Sequence, residues 1–157
     1  LTTLEDLEQY ADDHHVRLLT CPLPCRGLYY ACPADNTRVI ALSPVLETDA
    51  ERAAVLAEEL GHYHTTPIDL FTAPRRLQVA YERRAAEWAA STLLPVKKLV
   101  MAWRAGVRSA WELAEYCDVP ESFTTHTLEL YAARYARGIT CDGCLVTFDL
   151  LHIREVI

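Results

Sequence analysis

Glu58-Glu59-Leu60-Gly61-His62 carries the residue types and spacing best suited to chemistry in this chain. It is the pattern His-Glu-x-x-His with its first histidine replaced by Glu58. In the unaltered pattern two histidines one helical turn apart hold a metal, and the glutamate between them serves as base. Here Glu59 keeps the base position and His62 the second ligand position. Residues four apart share a helix face, so Glu58 and His62 can converge on one ion, and Glu59 lies one step round, beside the ion without ligating it. A hydrolytic zinc site needs three protein ligands and an open position, so a third ligand must come from another segment.

Glu82, in Glu82-Arg83-Arg84-Ala85-Ala86-Glu87-Trp88-Ala89-Ala90, is the best candidate. Ala85, Ala86 and Ala89 follow it on one helix face and are small enough for a close approach to the motif helix. Gly61 allows the same from the other side. A glycine inside a helix costs about 1 kcal/mol relative to alanine, and close packing is the compensation. Taken alone, two glutamates followed by a histidine are common in helices and do not make a metal site. His64 is either a surface residue or a substitute ligand. Tyr63, His64 and Tyr81 are nearby candidates for an oxyanion stabiliser, and His14 and His15 are expected to face solvent, with a place lining a cleft as the alternative.

The elements that must position these groups follow from hydrophobic spacing and caps. Leu4, Leu7, Tyr10 and Ala11 form one stripe, with Thr3 and Asp6 as its N-terminal cap, which predicts a helix to about His15. Val16 to Leu19 reads as a short strand. Leu28 to Cys32 and Arg38 to Leu42 read as two strands joined by a turn through Pro33, Asp35 and Asn36. Thr48-x-x-Glu51 is a capping box opening the motif helix, which Thr65-Thr66-Pro67 ends. A second long helix is expected from about Arg75 to Leu94, stopped by Pro95, and a third from about Val96 to Ala105. Ser109-x-x-Glu112 opens another helix to about Cys117, and Pro120 one more, to about Arg137. The tail is β-rich, with Asp142-Gly143 as a two-residue hairpin turn. The fold class is α+β, with a domain boundary, if one exists, near Gly106: residues 1–106 and 107–157.

The chain has 157 residues, 51% of them hydrophobic, enough for a genuine core. No run approaches the roughly 18 unbroken apolar residues of a membrane span. The start, Leu4-Glu5-Asp6-Leu7-Glu8, shows no signal-peptide pattern, so a cytoplasmic protein is expected. A formal charge of -7 argues against nucleic acid as main partner, because phosphate binding needs clustered Lys and Arg. The span from Ser109 to Arg137 has helix-turn-helix spacing, yet carries Glu112, Glu115, Asp118, Glu121 and Glu129, so a protein-contact or packing role is expected there. Six cysteines are present. Cys141 and Cys144 read as structural thiols facing each other across the hairpin, with a second zinc site or a redox pair as the alternatives.

The order and spacing of Leu56-Ala57-Glu58-Glu59-Leu60-Gly61-His62-Tyr63-His64-Thr65-Thr66, Glu82-Arg83-Arg84-Ala85-x-x-Trp88-Ala89, Leu93-Leu94-Pro95, Lys97-Lys98-Leu99 and Trp111-Glu112-Leu113-Ala114-Glu115-Tyr116 resemble the ImmA/IrrE family of metallopeptidases. The likeness is greatest to its phage- and mobile-element-associated branch in Firmicutes. The resemblance implies a zincin-like core with a small twisted sheet beside the active-site helix, and a helical C-terminal portion ending here in a β hairpin. It implies cleavage or inactivation of a helix-turn-helix repressor, with His62 and Glu82 as metal ligands and Glu59 as general base; Glu58 joins them as a ligand on its helix spacing, with His64 as the substitute. Glu58 stands where many members have histidine.

The implied reaction is metal-dependent peptide hydrolysis, in which Glu59 takes a proton from the attacking water and passes it to the leaving amine. Two carboxylates and one imidazole would cancel the charge of a divalent ion, lowering its Lewis acidity. Zn2+ is the expected cofactor, and the oxygen donors widen tolerance toward Mn2+ or Fe2+. Slow basal proteolysis is therefore expected. The alternative is a non-catalytic scaffold that binds a repressor or other regulatory protein without cutting it.

Overall fold

The computed structural model describes residues 3–66 and 72–156. The architecture is α+β, and the chain divides into two compact units, Leu1–Leu93 and Leu94–Ile157. The division falls just before Pro95, not at Gly106. The third long helix contacts elements that follow it, and Gly106, with φ 98°, lies in a turn inside the second unit.

In the first unit, α1 (Leu4–Asp13) starts at Thr3, whose side chain accepts from the Asp6 N–H while Asp6 bonds back to the cap. Leu7 and Ala11 are its buried stripe. His15, in the left-handed region at φ 56°, turns the chain into the first strand. The strands β1 (Val16–Thr20), β2 (Gly27–Ala31) and β3 (Arg38–Leu42) form one sheet in the order β1-β3-β2. β3 is central, parallel to β1 and antiparallel to β2. Ile40, Ala41 and Leu42 bury its middle.

The motif helix α2 (Asp49–Thr65) opens on the Thr48–Glu51 capping box and packs against β2 and β3. Leu56, Ala57 and Leu60 are fully buried along it. It ends at Thr65; Pro67, expected to stop it, lies outside the described residues. The helix α3 (Arg75–Leu93) lies against α2 and buries Ala85, Ala89, Ala90 and Leu93. At Gly61 the backbones of the two helices come into contact. A Cβ at position 61 would collide with the carbonyl oxygen of Ala85 and stand 2.8 Å from its Cα. The backbone-to-backbone approach expected from Gly61 and Ala85 is therefore present.

The second unit contains α4 (Val96–Arg104), α5 (Ala110–Cys117), α6 (Glu121–Arg134) and the antiparallel sheet β4-β5-β6 (Ile139–Cys141, Cys144–Thr147, His152–Glu155). The helix α5 opens on the Ser109–Glu112 capping box and ends at Asp118, left-handed at φ 54°. Asp118, Val119 and Pro120 then turn the chain into α6, as helix-turn-helix spacing requires. Glu112, Glu115, Asp118, Glu121 and Glu129 are all exposed. α6 ends at Arg134, short of Arg137, and the Tyr131 hydroxyl donates to the Leu94 carbonyl at 2.9 Å in the core of this unit. Asp142 and Gly143, both at positive φ, make the expected two-residue turn, and Cys141 pairs with Cys144 across it. All six cysteines are free thiols.

Candidate active site

The site lies wholly within the first unit. It is built where α2 passes between α3 and the β2 edge of the sheet. The close α2–α3 contact at Gly61 brings His62, the next residue, against Glu82, which stands one turn before Ala85. His62 Nε2 and Glu82 Oε2 are 3.3 Å apart. Two donors on a tetrahedral ion with bonds of about 2.0–2.1 Å stand about 3.3 Å apart, so the pair has the separation of two ligands of one ion. The other ring nitrogen, Nδ1, is 3.3 Å from the Thr66 hydroxyl. A partner at this nitrogen helps to orient the ring of a metal-binding histidine.

Burial pushes the His62 pKa down, against the opposing pull of the Glu82 carboxylate. The downward direction prevails, because the ring is 13% exposed while the Glu82 side chain is 64% exposed. A neutral imidazole has a lone pair to offer a cation. The donor set thus fits a divalent metal: a deeply held nitrogen and a carboxylate at the solvent edge. Among the described residues no three His, Cys, Asp or Glu side chains form a ready group for an ion.

Glu59 sits one step round the helix from this pair. Burial raises its pKa to about 7; the backbone N–H of Tyr29 opposes the rise, while Glu58 and Glu82 add to it. Glu58, half-buried, is therefore within electrostatic range of Glu59. A carboxyl group titrating near neutrality is matched to taking up and returning a proton.

The Tyr29 N–H reaches Glu59 because of strand register. Ser43 N–H donates to the Arg26 carbonyl and Cys32 N–H to the Thr37 carbonyl. Hydrogen-bonded pairs alternate along an antiparallel ladder, so Leu28 and Tyr30 bond to β3 while Gly27, Tyr29 and Ala31 direct their backbone groups outward, away from β3. Gly27 lets this strand pass close to the helix. A Cβ there would stand 2.5 Å from Val55 Cγ1 and 2.8 Å from Glu59 Oε1.

The other histidines are placed elsewhere. The His64 ring stacks on Trp88 at 4.9 Å, and its Nε2 is 2.9 Å from the Tyr10 hydroxyl. His15 is exposed as expected. His14 is not simply solvent-facing: it stacks on Tyr10 at 4.0 Å, and its Nδ1 meets the Tyr10 carbonyl at 2.8 Å. Of the oxyanion candidates, Tyr81 lies under Arg84, and Tyr63 lies beside Arg38 and Tyr29. Sequence reasoning missed Gly27, Tyr29 and Thr66. Thr66 had a signal, being four residues after His62 and so on its face. Gly27 and Tyr29 had none, since their roles depend on where the strand lies.

No curated protein matches the chain at a significant level. The model of the family Peptidase_M78, described as the IrrE N-terminal-like domain, matches residues 11–129, which include α2, α3 and every residue of the candidate site. With a metallopeptidase family model covering most of its length and a nitrogen–carboxylate pair set beside a half-buried glutamate, the chain belongs to the Peptidase_M78, or ImmA/IrrE, family.

Proposed function

We propose that this protein is a metal-dependent endopeptidase with a zincin-like site, that Glu58, His62 and Glu82 hold the metal, and that its substrate is a helix-turn-helix repressor of a phage or mobile element. The observation that carries the reading is the 3.3 Å approach of His62 Nε2 to Glu82 Oε2 beside Glu59. A bound divalent cation, Zn2+ or, given the oxygen donors, Mn2+ or Fe2+, supplies a Lewis acid there.

The remaining work belongs to the chain. His62 keeps its imidazole neutral and its Nδ1 side engaged by Thr66. Along the outer edge of β2 the Gly27 carbonyl accepts from the Cys25 thiol and the Tyr29 N–H is taken by Glu59, so the Tyr29 carbonyl and the main-chain groups of Ala31 are the ones offered to an extended polypeptide, which is how a sheet edge recognises a peptide. Glu59 accepts a proton from water at its carboxylate oxygen and returns it to the leaving amine nitrogen. Gly27 leaves the space into which that carboxylate fits. The exposed acids on α5 and α6 disfavour nucleic acid as a partner of that helix pair, and a protein substrate suits the net charge.

The test uses metal-loaded protein and a purified helix-turn-helix repressor, followed by mass spectrometry. Wild type is expected to generate two fragments, and Glu59→Gln to generate none while still binding metal. An intact repressor that co-elutes with metal-loaded wild type on a sizing column would refute catalysis and support the non-cutting scaffold. That second reading draws on Glu58 standing in place of the first motif histidine.

A further inference from the structure

Arg38 is a half-buried cation beside this site. It opens β3, where its cross-strand partners are Val16 on β1 and Ala31 on β2. Cross-strand partners share a face, and so do residues two apart along a strand. Arg38 therefore stands on the face of Ile40 and of that residue's partner Tyr29, the face that packs on α2. Its guanidinium lies 5.2 Å from the centroid of the Tyr63 ring, and Nη1 donates to the Tyr63 hydroxyl at 3.4 Å. Tyr63 directly follows His62, and its ring meets that of Tyr29 edge-on at 6.1 Å. Among the described residues no carboxylate pairs with Arg38, although the chain carries an excess of acids. A guanidinium drawn partly out of water is stabilised by a charged acceptor far more than by one phenol and a ring face.

The strand edge gives this cation an address. Arg38 is one strand in from the outer edge of β2, where its cross-strand partner is Ala31, a small and exposed residue. Arg38 is two residues along β3 from Ile40, which is about 7 Å at strand rise. It therefore faces a substrate side chain two positions along from the one opposite Tyr29, on the side toward Ala31. Resting on the peptidase reading above, we propose that Arg38, seated on Tyr63, is a specificity-determining residue that takes an aspartate or glutamate side chain of the substrate strand.

The test scans short fluorescein-labelled peptides with Glu, Gln or Lys at one position at a time. Binding is read by anisotropy on zinc-loaded Glu59→Gln protein, and cleavage on zinc-loaded wild type. At one position Glu is expected to bind about tenfold more tightly than Gln. That ratio should fall to near one in Arg38→Gln and favour Lys in Arg38→Glu, with circular dichroism confirming that both variants fold. Equal ratios in wild type and Arg38→Gln, or no position that separates Glu from Gln, would overturn the proposal. Arg38-dependent discrimination without any cleavage would keep the acidic subsite and refute the peptidase reading. Cleavage without that discrimination would do the reverse.

Discussion

Replacing Glu59 by glutamine should stabilise the metal-free protein at neutral pH while removing its activity. The reason is the raised pKa of this carboxyl group. In the unfolded chain Glu59 ionises near its ordinary 4.5, and in the fold it holds its proton to about 7. Below the lower value both states are protonated and the group contributes nothing. Between the two, the folded state binds the extra proton, so stability falls as pH rises, by at most about 1.4 kcal/mol per pH unit. Above about 7 the loss is complete and constant. The ceiling is about 3 kcal/mol, and because Glu59 retains some contact with solvent the expected loss is about 1–2 kcal/mol. Glutamine is neutral throughout and keeps an oxygen for the Tyr29 N–H. Urea unfolding with chelator present should therefore show Glu59→Gln more stable than wild type at pH 8 and equal to it near pH 4. A gain of the same size at both pH values, or one larger at the lower pH, would refute the reasoning.

Gly61→Ala would drive a methyl group into the Ala85 backbone; separating α2 from α3 should cost about 1–3 kcal/mol and reduce cobalt affinity more than tenfold, as read by optical titration. Thr66→Val removes the partner of His62 Nδ1 and should lower metal affinity by about 10–100-fold with little change in the unfolding midpoint. Gly27→Ala places a methyl group against Val55 and the Glu59 carboxyl, so kcat should fall while metal affinity, measured by the same titration, is preserved. The carboxylate of Glu51 is held below its ordinary pKa by the N–H groups of Thr48 and Glu47. Its stabilisation is present above the unfolded-state value and is lost as pH falls through the folded one. Glu51→Gln should thus lower the thermal midpoint at pH 7 and leave it unchanged near pH 2.

Local chemistry made much of this molecule readable in advance. Thr3 with Asp6, Thr48 with Glu51 and Ser109 with Glu112 each formed the reciprocal cap their spacing demands. Asp142-Gly143 made its hairpin because both residues tolerate positive φ. The nearness of His62 to Glu82 was legible through Gly61 and Ala85, since small residues on facing helices admit only close packing. What could not be read depends on pieces far apart in sequence. Tyr29 acts through a main-chain N–H whose direction is fixed by register with β3. His14 meets the rings of Tyr63 and His64 only once α1 docks on α2. The division before Pro95 was hidden because Pro95 stops one helix and starts the next, which looks the same within a unit as between two.

The main chains of α2 and α3 touch at Gly61 and Ala85 with no side chain between them. The distance from one helix axis to the other is then set by peptide atoms, which have no rotamers to exchange. Thermal hopping of neighbouring side chains has little leverage on the spacing of the two donor-bearing residues. Even the smallest side chain at position 61 would act on folding and on donor spacing together. A lineage keeping this chemistry can drift at most surface positions, but at this one point durability and activity are a single property.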